Sequence, residues 1–227
     1  MCPKHLVHYP RTLGSRGTDF AVQLRYNVRT FKSLRACLGE CEKFIRQPQL
    51  LYTGNKIERF AWMLPREIWG NWILAAICSE GYEQEYRITT DPDGGDGVIW
   101  DPATSIAWRM EHVLIPPHRQ GDNRTTEEKI IEAANKKQQK GGTQYAKGKV
   151  LVVLDESGTG ERWRPTVVAR ALPANDFTET WVITPDEFVH RSVTYAATRL
   201  ELMGAQAPIY KVYINSLFTQ WRCRQIQ

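Results

Sequence analysis

Two acidic residues in the middle of the chain have a spacing that could support chemistry. Asp96 opens the stretch DGVIWD, and Glu111 lies fifteen residues later in WRMEHVLIP. Both stretches have the composition of β-strands, so two adjacent strands could carry the carboxylates toward one face. Carboxylate oxygens are the ligands that Mg²⁺ prefers, and bound Mg²⁺ polarises phosphates and activates water. The pattern therefore predicts a metal site for Mg²⁺, with Mn²⁺ as a substitute, formed by Asp96 and Glu111.

Each of these acids also has an interpretation that involves no metal. Asp96 lies in DPDGGDG, a composition typical of β-turns, so a turn residue and a metal ligand fit its position equally well. The stretch does not match an EF-hand loop, because Gly95 stands where that loop needs an oxygen ligand. Glu111 lies inside an apolar strand, where an unpaired carboxylate is costly. Its alternative to a metal is a salt bridge to Arg109 or to an arginine of another strand.

The elements that must position these acids can be predicted from periodicity. Helices are predicted over residues 34–46, over KIERFAWML with Asn55 as its cap, over REIWGNWILAAICSEGY, and over EEKIIEAANKKQQK. The third of these is the strongest, because its apolar residues cover a wide face, and Gly81 is expected to end it. Strands are predicted over residues 82–89, 98–100, 106–115 and 149–156, the last being apolar on both faces.

The distribution of charge says more than the total of +5. Residues 1–50 carry nine Lys or Arg against three acids, residues 79–101 carry seven acids against one Arg, and residues 102–150 carry nine basic residues against five acids. An acidic patch between basic flanks suits a site that holds a divalent cation and attracts phosphate, although a solvated surface is the alternative. No apolar run is long enough for a membrane span, and we expect a cytoplasmic protein with no membrane partner.

The order helix, three strands, helix, strand resembles the common core of the PD-(D/E)XK nuclease superfamily. That family has an acid at the start of the second strand and an E-x-K or D-x-K tripeptide on the third, and Asp96 and Glu111 match the two acids. Glu67 matches an additional Glu of the first helix, and Glu58 is a weaker candidate because Pro65 separates it from that helix. The resemblance implies a restriction-endonuclease-like α/β fold, a mixed central sheet with an α-β-β-β-α-β core flanked by helices.

The sequence departs from the family pattern at residue 113. Val113 stands where the family has its lysine, and His112 points to the opposite face of the strand. In some family members the lysine lies on the following helix. Residues 129, 136 and 137 of this chain are lysines on the corresponding helix, and of these we expect Lys129 or Lys136 to take the catalytic role.

The resemblance also implies a domain organisation and a function. We expect a basic, helical N-terminal extension over residues 1–53, the nuclease-like core over 54–155, and an α/β completion of the same domain over 156–227. The implied activity is metal-dependent hydrolysis of DNA phosphodiester bonds by a restriction-like or repair-like endonuclease, with a homodimer as the expected assembly. Val113 keeps an alternative open, a catalytically inactive relative that binds nucleic acid or a protein partner. An enzyme of another α/β class is a third alternative.

Overall fold

A mixed β-sheet of nine strands runs through the part of the chain that the structure describes. The computed structural model describes residues 31–52, 54–80, 85–157, 162–172, 176–189, 192–201 and 206–227. The strands are β1 (Lys32–Ser33), β2 (Arg87–Thr89), β3 (Gly97–Asp101), β4 (Ile106–Ile115), β5 (Lys149–Asp155), β6 (Glu179–Val189), β7 (Ser192–Arg199), β8 (Ile209–Asn215) and β9 (Trp221–Gln225).

The spatial order of the strands is their order in the chain. Strands β1 to β4 pair antiparallel, β4, β5 and β6 pair parallel, and β6 to β9 pair antiparallel again. Parallel neighbours need a crossover connection. Helix α3 (Thr126–Ala146) lies in the connection from β4 to β5, and helix α4 (Pro165–Ala171) in the connection from β5 to β6. The chain is therefore a mixed α/β protein, as predicted.

Helices cover both faces of the parallel centre. Helices α1 (Leu34–Arg46) and α2 (Pro65–Ser79) share one apolar core with Val150, Val152 and Leu154 of β5. Helices α3 and α4 share a second core with Leu151 and Val153, the alternate residues of the same strand. Strand β5 is therefore buried on both faces, as its continuous apolar sequence predicted.

Helix α2 is the most deeply buried helix of the described residues. Each of its residues except Arg66 is buried, and the rings of Trp69 and Trp72 stack with centroids 5.0 Å apart. The indole N–H of Trp72 donates to the carbonyl of Leu34 at 2.8 Å, which attaches α2 to α1. Helix α1 has the bounds that its sequence predicted, and the Ser33 side chain caps its first turn.

The predicted helix over KIERFAWML is wrong. The chain forms only a short 3₁₀ turn at Glu58–Phe60, and then Ala61 and Trp62 adopt left-handed conformations with φ of 50° and 66°. Left-handed residues end a helix, and Ile57 then pairs with Met63 as an isolated bridge. A second 3₁₀ turn, Pro48–Tyr52, precedes it.

The predicted domain parts share this one sheet. Strands β6 to β9 extend the sheet of the 54–155 segment, and α1 packs against α2. Residues 1–30, which carry most of the predicted basic extension, lie outside the described residues, as do Gly81 and the first residues of the predicted strand 82–89. No helix among the described residues is long and apolar enough to cross a bilayer.

Candidate functional site

Asp96 and Glu111 converge on a single ammonium group. The Nζ atom of Lys137, on α3, lies 3.0 Å from Asp96 Oδ2 and 3.0 Å from Glu111 Oε2. The two carboxylate oxygens are therefore separated by no more than twice that distance. Lys137 is largely buried, and so are both acids. The structure thus brings together the two acids that the sequence singled out, with a lysine between them.

The backbone holds Asp96 against β4 on both sides of Glu111. The Asp96 N–H donates to the Met110 carbonyl at 3.0 Å, and Asp96 Oδ2 accepts the His112 backbone N–H at 2.7 Å. Gly97, the first residue of β3, has a φ of 145°, and a Cβ there would lie 2.0 Å from the Asn71 side-chain nitrogen. Glycine at this position lets α2 approach the end of β3, so the DG pair of DGVIWD fixes where Asp96 is presented.

Glu111 is almost fully buried, with 2 % of its surface exposed. Its Oε1 accepts a hydrogen bond from Lys149 Nζ at 2.6 Å, and its Oε2 accepts one from the Tyr145 hydroxyl in addition to the contact with Lys137. Two ammonium groups therefore balance the charges of the two carboxylates, which makes their burial tolerable.

Arg109, the arginine expected as an alternative partner for Glu111, pairs with other acids. Arg109 donates to Asp91 Oδ2 at 2.7 Å and also lies 3.6 Å from Asp93. The Asp93 N–H donates to Asp91 Oδ1 at 2.9 Å, so DPDGGDG begins as an Asp-stabilised turn held by an arginine of the neighbouring strand. Of the three Asp residues in this turn, Asp96 is the one in contact with Glu111's partner Lys137.

The interactions within the site keep Asp96 and Lys137 in their charged forms. Burial would raise the pKa of Asp96, but the interactions with His112 and Lys137, including the backbone hydrogen bond from His112, outweigh it and lower that pKa. Burial would lower the pKa of Lys137, but Asp96 and Glu111 outweigh it and raise that pKa above its usual value. Asp96 is therefore ionised and Lys137 protonated at neutral pH.

Glu67 lies in the first turn of α2, near the same site. Its pKa is raised to about 7, first by burial and further by the charge of Asp96, although the hydrogen bond from the Leu64 N–H at 2.8 Å opposes the shift. A carboxyl group that titrates near neutral pH can take up or release a proton during a reaction. The structure therefore places the third predicted acid within electrostatic reach of Asp96.

The two lysines expected to assist are not brought to these acids. Lys136 is 71 % exposed and pairs with Glu132 one turn back on α3, and Lys129 lies 3.5 Å from Asp122 and 3.2 Å from the His118 ring. For Lys136 the reason is the phase of the helix: Ile130 and Ala134 are buried, and Lys137 follows them on the same face at i+7 and i+3. Lys129 is buried as well, but it lies two turns before Lys137 and therefore farther along the sheet from the two acids.

The sequence did not single out two contributors, Lys149 and Tyr145, although a signal exists for Lys149. Lys149 alternates with Leu151 and Val153 on β5, so it shares their face, and a lysine at the start of a buried strand needs an acidic partner. Tyr145 lies near the end of α3, which continues to Ala146, beyond the predicted helix EEKIIEAANKKQQK. The side chains of Val113 and His112 lie on opposite faces of the sheet, as the alternation of side chains along a strand predicts. Val113 packs in the core beneath α3, and His112 lies under Gly70 of α2. Burial lowers the pKa of His112 to about 3.

Asp96 and Glu111 are the two carboxylates of this cluster that could hold a hard cation. Within the residues that the structure describes, no three His, Cys, Asp or Glu side chains are grouped to hold a metal ion. Mg²⁺ is commonly bound through one or two carboxylates and keeps several waters. Asp96 and Glu111 supply two such carboxylates, and the ammonium of Lys137 already lies between them where a positive charge is favoured.

Comparisons with known proteins add no relative. The chain matches no protein-family model, no curated protein and no solved structure.

Proposed function

We propose that this protein is a metal-dependent DNA endonuclease with a restriction-endonuclease-like core, in which Asp96 and Glu111 hold Mg²⁺ or Mn²⁺. The observation that carries the proposal is the position of Lys137 between the two carboxylates. The nuclease resemblance requires two acids and one lysine, and Lys137 supplies the lysine from α3 that β4 lacks at Val113. The element order α2, β2, β3, β4, α3, β5 agrees with that resemblance.

Each side chain then has a defined part in phosphodiester hydrolysis. A metal bound by Asp96 and Glu111 would polarise the scissile phosphate and lower the pKa of a water. Lys137 orients that water or stabilises the negative charge that develops on the phosphate. Glu67, with a pKa of about 7, accepts the proton that the water loses. Lys149 and Tyr145 hold the Glu111 carboxylate in one orientation.

A specific observation favours the alternative, an inactive nuclease-like protein that binds nucleic acid or a protein partner. Both oxygens of Glu111 are already engaged by lysine and tyrosine side chains, and the residue is nearly inaccessible. A carboxylate neutralised in this way also fits a purely structural ion pair. In this case the cluster stabilises the packing of α3 on the sheet and no metal binds.

A cleavage assay on supercoiled plasmid with Mg²⁺ or Mn²⁺ separates the two functions. We expect nicked or linear product from the wild-type protein. Asp96→Asn, Glu111→Gln and Lys137→Met are each expected to lower the rate by about 100-fold or more, because each removes a group that touches the metal, the water or the phosphate. Lys147→Met is the matched control, since it removes an exposed lysine that follows α3 and lies outside the cluster.

The products also report on assembly. A homodimer that pairs two sites gives linear DNA in one encounter, whereas a monomer gives nicked circles first. DNA binding without cleavage in either metal would exclude the enzyme and leave the binding protein. Equal losses in the Lys147→Met and Lys137→Met variants would contradict the role assigned to Lys137.

A further inference from the structure

A cavity of about 460 Å³ opens beside the carboxylate pair, between the end of β4 and helix α3. Lys137 belongs both to its wall and to the ion-pair cluster, so the cavity adjoins the Asp96–Glu111 pair through this lysine. The volume is within the range of about 300–1,000 Å³ typical of ligand pockets.

The floor of this cavity is apolar. Its apolar lining comes from Val113 and Ile115 of β4, whose side chains face α3, from Pro116 and Pro117, and from Ala133 of α3. An apolar floor of this kind suits the face of a planar base and does not suit a free phosphate. Val113 belongs to this floor, and a lysine at that position would project a long charged side chain into the space.

The rim of the cavity is basic. Six Lys or Arg residues line it against two acids, Asp122 and Glu132. The two acids are engaged by Arg124, Lys129 and Lys136. Lys140 and Arg119 have no ion-pair partner within the described ranges, so positive charge is left over at the mouth of the cavity. A phosphate group next to a base would be attracted to this rim.

We propose that the cavity holds one unpaired nucleotide of the substrate strand, with its base on the Val113 floor and a phosphate at the Lys137–Lys140 rim. The nuclease therefore prefers DNA that offers an unpaired base, such as a single strand, a flap or a mismatch, over a continuous duplex. Extruding a base from a paired duplex costs the free energy of unstacking and unpairing, which an unpaired base avoids. The inference rests on the proposed function for its location, and it explains why the lysine lies on α3.

Fluorescence anisotropy in EDTA tests the cavity without cleavage. We expect the protein to bind a labelled single-stranded oligonucleotide more tightly than the matching duplex. Val113→Met fills the floor and should weaken single-strand binding by about tenfold, with little effect on the duplex. Its control is Val167→Met, at an exposed position of α4. Lys140→Gln, on the exposed rim, should weaken single-strand binding while leaving the fold intact, with the exposed Lys56→Gln as its control.

Competition experiments identify what enters the cavity. Thymidine 5′-monophosphate should displace the labelled strand at lower concentration than inorganic phosphate or thymidine alone. Equal competition by inorganic phosphate, or unchanged affinity in both Val113→Met and Lys140→Gln, would overturn the inference. These results are independent of the plasmid assay. Cleavage that needs Asp96 but ignores Val113 leaves the nuclease without the nucleotide cavity, and single-strand binding that needs Val113 without any cleavage leaves the cavity without the nuclease.

Discussion

At the scale of single residues, the buried carboxyl group of Glu67 makes the stability of the folded protein depend on pH. Its pKa in the folded protein is about 7, against about 4.5 for an ordinary glutamate. The folded state therefore binds a proton between these two values more readily than the unfolded state does. Below the lower value the contribution of Glu67 to stability is fully present, and it is lost as the pH rises through about 7. Glu156 acts in the same direction, because burial also raises its pKa to about 7.

We predict that Glu67→Gln flattens this pH dependence. The free energy of unfolding of the wild-type protein should fall between about pH 5 and pH 8, and the Glu67 share of that fall is on the order of 2 kcal/mol. Urea unfolding at several pH values in EDTA measures it. Glu58→Gln, at an exposed position of a 3₁₀ turn, should leave the pH profile unchanged. A Glu67→Gln profile as steep as that of the wild-type protein would show that this carboxyl titrates normally.

The sequence identified both acids of the site but did not identify the lysine between them. Asp96 and Glu111 could be chosen from residue type and strand spacing alone, and the structure brings them together. Choosing Lys137 over Lys136 needed the rotational phase of α3, and the positions Ile130 and Ala134 carried that information. Neighbouring residues on a helix differ by about 100° in direction, so an error of one residue moves a lysine from the site to solvent.

At the scale of elements, the contact between α2 and the sheet depends on two glycines without side-chain bulk. Gly70 faces His112 and Val152, and a Cβ on Gly70 would lie 2.8 Å from the His112 ring. Gly97, on the sheet, faces Asn71 of α2, and a Cβ on Gly97 would lie 2.0 Å from the Asn71 side-chain nitrogen. Helix α2 carries Glu67 toward Asp96, so its distance from the sheet sets the geometry of the acidic site.

We predict opposite effects for two helix glycines. Gly70→Ala should destabilise the protein by about 1–3 kcal/mol, because the added methyl group forces the buried His112 to move. Gly39→Ala in α1 should stabilise it by about 0.5–1 kcal/mol, because nothing lies within 4 Å of the new methyl group and alanine favours the helix. Thermal and urea unfolding of both variants give the comparison. If Gly70→Ala were as stable as Gly39→Ala, α2 would not pack on β4 as closely as described.

Elements also differ in how far local sequence determines them. The apolar stripe of α1 predicted its bounds correctly, because burial of Leu34, Leu38 and Ile45 follows helical spacing. The stretch KIERFAWML has comparable helix formers, yet the bridge between Ile57 and Met63 requires a tight turn there. Tertiary packing overrides weak helix propensity in a segment this short.

At the scale of the whole molecule, the sheet does not divide at the end of the predicted core. Strand β5 is paired on one side with β4 and on the other with β6, and its side chains are buried on both faces. Strands β8 and β9 also contact α2, which precedes the core strands in the chain. Residues 156–227 therefore complete the core that residues 54–155 begin.

We predict that a fragment ending at residue 157 does not fold. Without β6, strand β5 becomes an edge of exposed backbone groups and apolar side chains. The fragment should show no cooperative transition in urea by circular dichroism, whereas the full chain should show a steep transition at the same midpoint by circular dichroism and tryptophan fluorescence. A cooperative transition in the fragment would mean that residues 54–155 form an independent unit.

The chain-ordered sheet has a consequence for how the protein is made. Because each described strand after β1 pairs with its predecessor in the sequence, each pairing from β3 onward closes only the segment between two consecutive strands, whereas the pairing of β1 with β2 closes a loop that contains α1 and α2. Closing short loops costs little entropy, so the sheet can grow one strand at a time as the ribosome releases the chain. The longest closures are the contacts of α2 with β8 and β9, and we expect them to form last. The acidic site, complete once β5 has joined β4, would therefore be assembled before synthesis ends.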